Sequence, residues 1–316
     1  MNASDPLVNA WLLLSEDQPT GTTYRSANSS FQRLIQNNGY RAVDNLNLSF
    51  FTTHPTSSTT VPKGNGDFYT ISTYPNRHPP DAITAPTDHD YMLWILRDAR
   101  AQNPNLKIAV TLDYNGRENG GHEIENIFSN TKHSDEENAE HFAANLMTYL
   151  TTYNLDGFDI DWEPPVSEIT TQDHFRVLVN AIGAAFRAQS NKHYYLTLSP
   201  DEVGNLDAGA VNGNMDFINL QLYSGLDPNE FIQAGVNANL FAYGAKFEAD
   251  NPGAKPNDRG RQTAQEAFTD NQNNRHYSIF TCWRLNSGNY MFEQDQQKAL
   301  YRMVHTAGAG KERAAS

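Results

Sequence analysis

Several acidic residues crowd into one short stretch of the chain, LDGFDIDWEPP, at positions 155–165. The acids are Asp156, Asp159, Asp161 and Glu163. From Phe158 onward, apolar and acidic residues alternate, and the apolar ones are Phe158, Ile160 and Trp162. Alternate residues of a β-strand point to opposite faces, so Asp159, Asp161 and Glu163 are predicted to share one face. The apolar residues then share the other face, which suits packing against helices.

Carboxylates at this spacing predict unusual protonation. In a poorly solvated interior they raise one another's pKa, so at least one proton is expected to be shared along the row. Glu163, the outermost acid, is expected to keep a raised pKa. Such a group suits a general acid that protonates the leaving oxygen of a glycosidic bond near neutral pH.

An acidic strand edge and a divalent-cation site are the other interpretations of this stretch. An exposed edge does not explain the regular apolar face, and a metal site usually draws its ligands from several segments. A second group of candidate ligands comprises His122, His133, His141, Glu123, Glu125 and Glu137, but no H-E-x-x-H occurs there. These residues are interpreted as surface residues, and no metal site is predicted.

Composition and charge exclude several classes of function. Of the 316 residues, 38% are hydrophobic and 11% aromatic, which is enough for a real core. The formal net charge of -14 disfavours binding to nucleic acid and to anionic membranes, which need clustered Lys and Arg. The single cysteine, Cys282, rules out an intramolecular disulfide and a cysteine-based zinc site, and its context predicts a buried strand thiol.

The two ends of the chain carry no predicted element. The first residues lack the basic start and long apolar stretch of a signal peptide, and no apolar run of membrane-spanning length occurs. The protein is therefore expected to be cytosolic or to have lost its signal. Residues 308–316 are small and polar and are expected to be a flexible tail or a cloning remnant.

Short β-forming runs alternate with segments of helical spacing along residues 1–307, which predicts repeated βα units in one domain. The predicted strands are 8–14, 43–51, 107–113, 157–163, 194–199, 217–223, 240–246 and 278–284. The predicted helices are 29–38, 90–102, 135–153, 171–189, 228–234, 261–271 and 293–305, with a weak helical turn within 201–214. This order favours an α/β fold, a closed (β/α)8 TIM barrel. The alternative, an open doubly wound sheet, would want a glycine-rich phosphate turn after its first strand, and none occurs there.

Two connections bear on the shape of the barrel mouth. The connection over 52–87 is long and contains Phe68, Tyr69 and Tyr74, so it is expected to form an ordered wall beside a groove; the alternative is a solvated insertion. The connection over 247–258 is too short for a large α+β insertion. An open groove is therefore expected.

The stretch DGFDIDWE resembles the D-G-x-D-x-D-x-E signature of glycoside hydrolase family 18. That family holds chitinases and bacterial endo-β-N-acetylglucosaminidases on a (β/α)8 barrel, with the signature on the fourth strand. The resemblance implies that Glu163 is the acid/base and that the substrate's own N-acetyl group is the nucleophile. It also implies that Asp161 holds the acetamido N–H, while Asp159 supports Asp161 by sharing its proton.

The resemblance further implies substrate contacts on two later strands. NLQLYSG places Gln221 and Tyr223 on one face of the sixth strand, where the family has a tyrosine that fixes the acetamido oxygen. SIFTCWRL places Trp283 on the eighth strand, where the family has a tryptophan beneath the distorted sugar. The other interpretations are a tyrosine that satisfies a backbone group and a tryptophan that fills the core. Trp11, on the first strand, is interpreted as packing.

The chain also departs from the family's pattern. The third strand reads VTLDYNG where the family often has S-x-G-G, so Asp113 and Tyr114 are hypothesised to line the mouth in a way special to this chain. Asp201, after the fifth strand, is a further candidate for substrate binding. Ser224 replaces the acid that follows the tyrosine in many longer chitinases, which leaves the pH optimum open.

Together the motifs predict a retaining glycoside hydrolase that uses no cofactor and cleaves β-1,4 bonds in N-acetylglucosamine-containing glycans. An endo-acting chitinase that binds chitin or chitooligosaccharides is favoured, and an endo-β-N-acetylglucosaminidase that binds N-glycans is the alternative. The alternative of another class is a catalytically silent glycan-binding lectin, although such lectins usually lose the acid that Glu163 supplies. Because these substrates are met outside the cell, a secreted or extracellular protein is expected.

Overall fold

The chain alternates strands and helices along its length. The computed structural model describes residues 7–15, 21–64, 66–80, 82–115, 119–249 and 261–315. Its strands are β1 (Leu7–Leu13), β2 (Asn45–Pro55), β3 (Tyr69–Thr73), β4 (Lys107–Leu112), β5 (Gly157–Trp162), β6 (Tyr195–Pro200), β7 (Phe217–Leu220), β8 (Phe241–Lys246) and β9 (Ile279–Trp283). Its helices are α1 (Ser30–Gln36), α2 (Asp88–Gln102), α3 (Asp135–Thr152), α4 (Val166–Ile169), α5 (Gln172–Arg187), α6 (Ala208–Asn214), α7 (Pro228–Gln233), α8 (Ala264–Asp270) and α9 (Tyr290–Ala315).

The strands close into a barrel. β1 pairs in parallel with β2 on one side and with β9 on the other, and β4 to β9 complete the ring in chain order. Asn9 of β1 is opposite Asn45 in one pairing and Thr281 in the other. The fold is therefore the predicted (β/α)8 barrel, in which the carboxyl ends of the parallel strands meet at one rim.

The outward face of β5 is held by two helices. Phe158, Ile160 and Trp162 are fully buried. The Phe158 ring meets Phe142 of α3 at a centroid distance of 6.4 Å, and the Trp162 ring meets Phe175 of α5 at 4.6 Å. This packing fixes the strand so that its acidic face looks into the barrel.

The start of α3 also follows its sequence pattern. The Ser134 hydroxyl accepts from the backbone N–H of Glu137 at 3.2 Å, and the Glu137 carboxylate accepts from the backbone N–H of Ser134 at 2.9 Å. This is a complete capping box, which satisfies two amide groups that the first helical turn leaves free.

A β-hairpin extends the barrel wall beside β2, and its second strand is absent from the sequence-based prediction. β3 runs antiparallel to the end of β2, from the pair Phe51–Thr73 to the pair Pro55–Tyr69. The expectation of an ordered wall within 52–87 is confirmed over this hairpin.

A buried glutamate anchors the hairpin. The Glu123 carboxylate accepts from the Thr52 hydroxyl at 2.8 Å, from the Thr53 backbone N–H at 2.6 Å and from the Asn119 side-chain amide at 2.9 Å. Glu123 is 0% exposed. Its interpretation as a surface residue was wrong, because Thr52 and Thr53 lie 71 and 70 residues away in sequence and only the fold brings them to Glu123.

The end of β7 differs from the predicted limit. The strand stops at Leu220, and the following residues form a 3₁₀ turn over Leu222–Ser224. The Ser224 N–H bonds the Gln221 carbonyl at 3.0 Å, and Gly225 leaves the turn with φ of 97°, a value that favours glycine. The prediction of strand up to residue 223 was wrong for this reason.

Other predictions about the chain have mixed outcomes. Cys282 is fully buried in β9, as predicted. The α9 helix continues to Ala315 although a flexible tail is expected from 308, and the Ala, Lys, Glu and Arg residues of that segment favour helix.

Most of the connection 247–258 lies outside the described residues, so the open groove stays a prediction. Among the helices of the described ranges, none combines the length and apolarity needed to cross a membrane.

Candidate active site

The acid row of β5 points into the barrel and ends at its mouth. Asp159 lies deepest and is 0% exposed, Asp161 follows at 6%, and Glu163 is half-buried just after the last strand residue. Across the sheet, Asp159 is opposite Thr197 and Asp161 is opposite Ser199 of β6. The alternation read from the sequence therefore places the three acids as predicted.

Neutral donors surround the Asp159 carboxylate. It accepts from the Thr197 hydroxyl at 2.6 Å, from the Ser199 hydroxyl at 2.9 Å and from the Asn219 amide at 3.4 Å. Burial raises the pKa of Asp159, whereas these donors and Thr111 oppose that rise by stabilising the charged form. Asp159 is thus the acid of the row whose charge the barrel stabilises with the most donors.

Burial and neighbouring charges favour the protonated form of Asp161, in the middle of the row. Burial raises the pKa of Asp161 well above its usual range, and the charges of Glu163 and Asp159 on either side raise it further. Asp161 also hydrogen-bonds Glu163. The shared proton predicted from the sequence is therefore expected along the Asp161–Glu163 pair, whose two carboxyl groups both have a raised pKa.

The pKa of Glu163 is also raised, mainly by burial. Hydrogen bonds from Gln221 and Asp161 lower it in part, and the charges of Asp201 and Asp113 raise it again. Glu163 therefore combines access to the mouth with a pKa shifted toward neutrality, as a general acid requires.

Tyr223, Gln221 and Glu163 form a chain of hydrogen bonds. The side-chain amide of Gln221 donates to Glu163 Oε1, and its carbonyl oxygen accepts the Tyr223 hydroxyl at 2.9 Å. Burial raises the pKa of Tyr223, so the hydroxyl keeps its proton and stays a donor. Both residues reach the mouth from the turn after β7 and not from one face of the strand.

Trp283 ends β9 and forms one wall of the mouth. Its ring lies 6.2 Å from that of Trp11 and 6.0 Å from that of Phe50, measured between centroids. The indole N–H donates to the Glu248 carboxylate, which also pairs with Arg284 at 2.8 Å. The peptide bonds Ser49–Phe50 and Trp283–Arg284 are cis.

These side chains enclose a cavity of about 270 Å³. Its lining residues are Trp11, Phe50, Tyr114, Asp161, Glu163, Ser199, Asn219, Leu220, Gln221, Tyr223, Gly244, Lys246, Thr281 and Trp283. Gly244 is required by the close approach of β7, since a Cβ there would stand 1.9 Å from the Leu220 carbonyl oxygen.

Sequence reasoning missed some residues of this cavity. Trp11 was assigned to packing, yet it lines the cavity and donates its indole N–H to the Thr111 hydroxyl at 3.2 Å. Phe50 and Lys246 were not singled out, although each lies at or near the carboxyl end of a barrel strand. That position is the one signal that points to them.

The remaining predicted residues divide between the cavity and its surroundings. Tyr114 lines the cavity, and its hydroxyl has a raised pKa through burial and the nearby acids. Asp113 lines a smaller neighbouring cavity, where it accepts from the Tyr74 hydroxyl at 2.7 Å. Asp201 does not line the cavity and acts on Glu163 through its charge.

A metal centre finds no support in the described ranges. They contain no group of three or more His, Cys, Asp or Glu side chains arranged to hold a metal ion. In the acid row, Asp159 accepts from hydroxyl and amide groups and Glu163 accepts from the Gln221 amide.

Comparisons with known proteins agree with this geometry. The family description "Glycosyl hydrolases family 18" matches residues 21–268. Chitotriosidase-1 of Mus musculus is 29% identical over 144 residues, which make up 40% of this chain. The matched part spans only 29% of the mouse protein's length.

Solved structures share the fold. The chitinase-like agglutinin RobpsCRA from Robinia pseudoacacia superposes with a TM-score of 0.62 at 12% identity, over 93% of this chain and 99% of that chain. The GH18 chitinase from Cycas revoluta in complex with (GlcNAc)3 superposes with a TM-score of 0.58 at 13% identity, over 96% and 99%. The family match covers most of the chain and includes the acid row, and the chain therefore belongs to glycosyl hydrolase family 18.

Proposed function

We propose that this protein is an endo-acting chitinase that hydrolyses β-1,4 bonds between N-acetylglucosamine units by substrate-assisted retention. The observation that carries the proposal is the acid row, which leads from buried Asp159 through Asp161 to Glu163 at the wall of the mouth. Burying neighbouring carboxylates is unfavourable, because they lose hydration and repel one another. A barrel without catalytic activity would gain nothing that offsets this free energy.

The roles follow from position along the row. Glu163, with its raised pKa, gives its proton to the leaving glycosidic oxygen as the bond to the anomeric carbon breaks. The carbonyl oxygen of the substrate's acetamido group bonds that carbon from the other side and forms an oxazolinium ion. Water then adds to the anomeric carbon, the Glu163 carboxylate takes a proton from it, and the acetamido group is restored.

Asp161 and Tyr223 are proposed to hold the acetamido group. Asp161 passes its proton to Asp159, and the resulting Asp161 carboxylate accepts the acetamido N–H and supports the positive oxazolinium. The Tyr223 hydroxyl, which keeps its proton, donates to the acetamido oxygen and turns it toward the anomeric carbon. Each of these groups acts on an atom that changes charge in the reaction.

The aromatic wall suits the apolar face of a sugar ring. Trp283 packs against Trp11 and Phe50, and its indole N–H is held by Glu248, so these contacts together limit the freedom of the ring to turn. The cavity of about 270 Å³ is slightly smaller than the about 300–1,000 Å³ of most ligand pockets, a size that suits one monosaccharide unit. The Cycas chitinase of the same fold was solved with (GlcNAc)3, which supports a chitooligosaccharide as substrate.

An endo-β-N-acetylglucosaminidase is the second candidate. The hairpin of β2 and β3 raises a wall beside the mouth, and such a wall suits contacts to a branched N-glycan. A glycan-binding lectin is the candidate of another class, since the Robinia agglutinin has the same fold. The complete acid row disfavours it.

The test is incubation with a mixture of chitopentaose and a high-mannose glycoprotein, with the released masses read by mass spectrometry. Short N-acetylglucosamine oligomers would support the chitinase, and internal cuts would support endo action. Free glycan, with one N-acetylglucosamine left on the protein, would support the second candidate, and no product from either would overturn both. The proposal includes action outside the cell, where chitin and N-glycoproteins are met.

A further inference from the structure

A second, smaller cavity adjoins the active site. It has a volume of about 190 Å³ and shares Phe50 and Tyr114 with the wall of the catalytic cavity. Its other lining residues are Leu13, Ser15, Ser49, Tyr74, Asp113 and Asn115, which come from the carboxyl ends of β1, β2 and β4 and from the end of the hairpin. The two cavities therefore lie side by side at the barrel mouth, with Phe50 and Tyr114 at their common boundary.

The Asp113 carboxylate of the second cavity can accept hydrogen bonds from a ligand. Asp113 is 5% exposed and accepts from the Tyr74 hydroxyl at 2.7 Å and from the Asn115 backbone N–H at 3.1 Å. A carboxylate has about four acceptor positions, so two are left for a ligand. Within the described ranges, Asp113 forms no ion pair with a Lys, Arg or His side chain.

Ser49 supplies a second, independent observation that points to a polar ligand in this cavity. Its side chain is 0% exposed and lines the second cavity, and its hydroxyl has no hydrogen-bond partner among the described residues. Buried hydroxyl groups are nearly always hydrogen-bonded, and leaving one unsatisfied costs free energy. A sugar hydroxyl in this cavity would satisfy it.

We propose that this cavity is a second saccharide subsite that prefers a glucosamine unit with a free amine, whose ammonium group Asp113 binds. The inference rests on the proposed function and deepens it, since it makes partially deacetylated chitin the preferred substrate. Only the unit in the catalytic cavity needs its acetyl group for the chemistry. A buried carboxylate gains more from an ammonium group than from a neutral amide, because charge-assisted hydrogen bonds are about twice as strong.

The surrounding charge favours the same ligand. Asp113 is near enough to the acid row for its charge to raise the pKa of both Asp161 and Glu163. An ammonium group beside Asp113 would offset one of these negative charges. The whole chain, with its net charge of -14, would also attract a cationic polymer.

The test measures binding in protein that cannot turn over its ligand. In a Glu163→Gln background, titration calorimetry gives the Kd of chitotetraose and of tetrasaccharides in which a single glucosamine occupies each position in turn. One position is expected to bind about tenfold more tightly than the others, and Asp113→Asn is expected to remove that difference. High salt should reduce it as well. Equal Kd at every position, or a preference that persists in Asp113→Asn, would overturn the proposal.

Two further variants separate recognition from folding. Asp113→Asn keeps an acceptor for the Tyr74 hydroxyl, and Tyr74→Phe removes that donor but keeps the carboxylate, so the preference should survive in Tyr74→Phe. Asp227→Asn is the charge-matched control, because Asp227 is exposed on the same rim and caps α7, a position where Asn serves equally well. If wild-type protein cleaves neither chitin nor glycoprotein, the proposed function fails, while the positional preference is decided by these Kd values alone.

Discussion

Gln221 joins Glu163, the proposed general acid, to Tyr223 at the mouth. Its amide donates to Glu163 while its carbonyl oxygen accepts the Tyr223 hydroxyl at 2.9 Å. The Gln221 side chain thus positions both Glu163, which is proposed to protonate the leaving oxygen, and Tyr223, which is proposed to bind the acetamido oxygen. Ser224, which follows Tyr223 in place of an acid, points its hydroxyl at the Gln221 carbonyl at 2.7 Å and fixes the turn instead.

The hydrogen bond between Gln221 and Glu163 is predicted to affect the pH dependence of activity. The bond from Gln221 lowers the pKa of Glu163 because it stabilises the carboxylate. Gln221→Leu removes it, so the pKa of Glu163 should rise and the alkaline limb of the kcat/KM profile should move to higher pH. The rate at the optimum should fall about tenfold through lost orientation. A profile whose alkaline limb stays in place or moves to lower pH would refute this, and exposed Gln265→Leu on α8 is the control.

Asp161 is predicted to lower stability at neutral pH. Its folded-state pKa is raised by burial and by Glu163 and Asp159, so its stabilising contribution is full below the unfolded pKa of about 3.9 and is lost as the pH rises. Asp161→Asn should therefore abolish activity yet raise Tm at pH 7, with a gain that shrinks toward pH 4. In a chain of this size, 1 kcal/mol corresponds to roughly 2 °C.

Thermal unfolding of both proteins between pH 4 and pH 7 measures this gain. The exposed Asp227→Asn variant should show no such dependence on pH. A Tm difference that is constant across the range would mean that Asp161 does not hold a proton in the folded state.

Glu248 is predicted to set the angle of the aromatic wall. It accepts the Trp283 indole N–H and pairs with Arg284, and both partners of that ion pair are mostly buried. Glu248→Ala should free the ring, raise KM about tenfold and change kcat less, because ring contact is made in ground and transition states alike. Tryptophan fluorescence should shift as well. Glu248→Gln keeps an acceptor and should recover most of the loss; a Gln variant as impaired as Ala would show that the ion pair, not the indole bond, matters.

Glu123 is predicted to be a stability residue. Its fully buried carboxylate accepts hydrogen bonds from Thr52 and Thr53 of the hairpin and from Asn119 of the loop before α3. Glu123→Ala should lower the free energy of unfolding by about 3 kcal/mol, since buried partners lose a charged acceptor. Urea denaturation measures this, and Glu140→Ala on the exposed face of α3 should stay within about 0.5 kcal/mol of wild type.

The sequence predicts the acid row because its evidence is local. A strand's alternation places Asp159, Asp161 and Glu163 on one face without any knowledge of the fold, and the barrel rule puts the last of them at the mouth. Trp283 follows from the end of the last strand by the same argument.

Features that depend on pairing between distant segments escape this reasoning. β3 is a short run within a polar connection, and only its pairing with β2 makes it a strand. Trp11 becomes a cavity residue because Phe50 and Trp283 leave space in front of it, and Glu123 becomes buried because the hairpin closes over it. Such residues have no signature in composition or period.

The most direct test of the account is the rate of chitopentaose cleavage by Glu163→Gln, measured beside the Kd of the same ligand. The account predicts a loss of turnover of at least about 10²-fold, with Kd within a few-fold of that for wild type, because the amide keeps the shape of the acid and cannot give up a proton. Cleavage at the wild-type rate by the variant would contradict the assignment of Glu163 as the general acid.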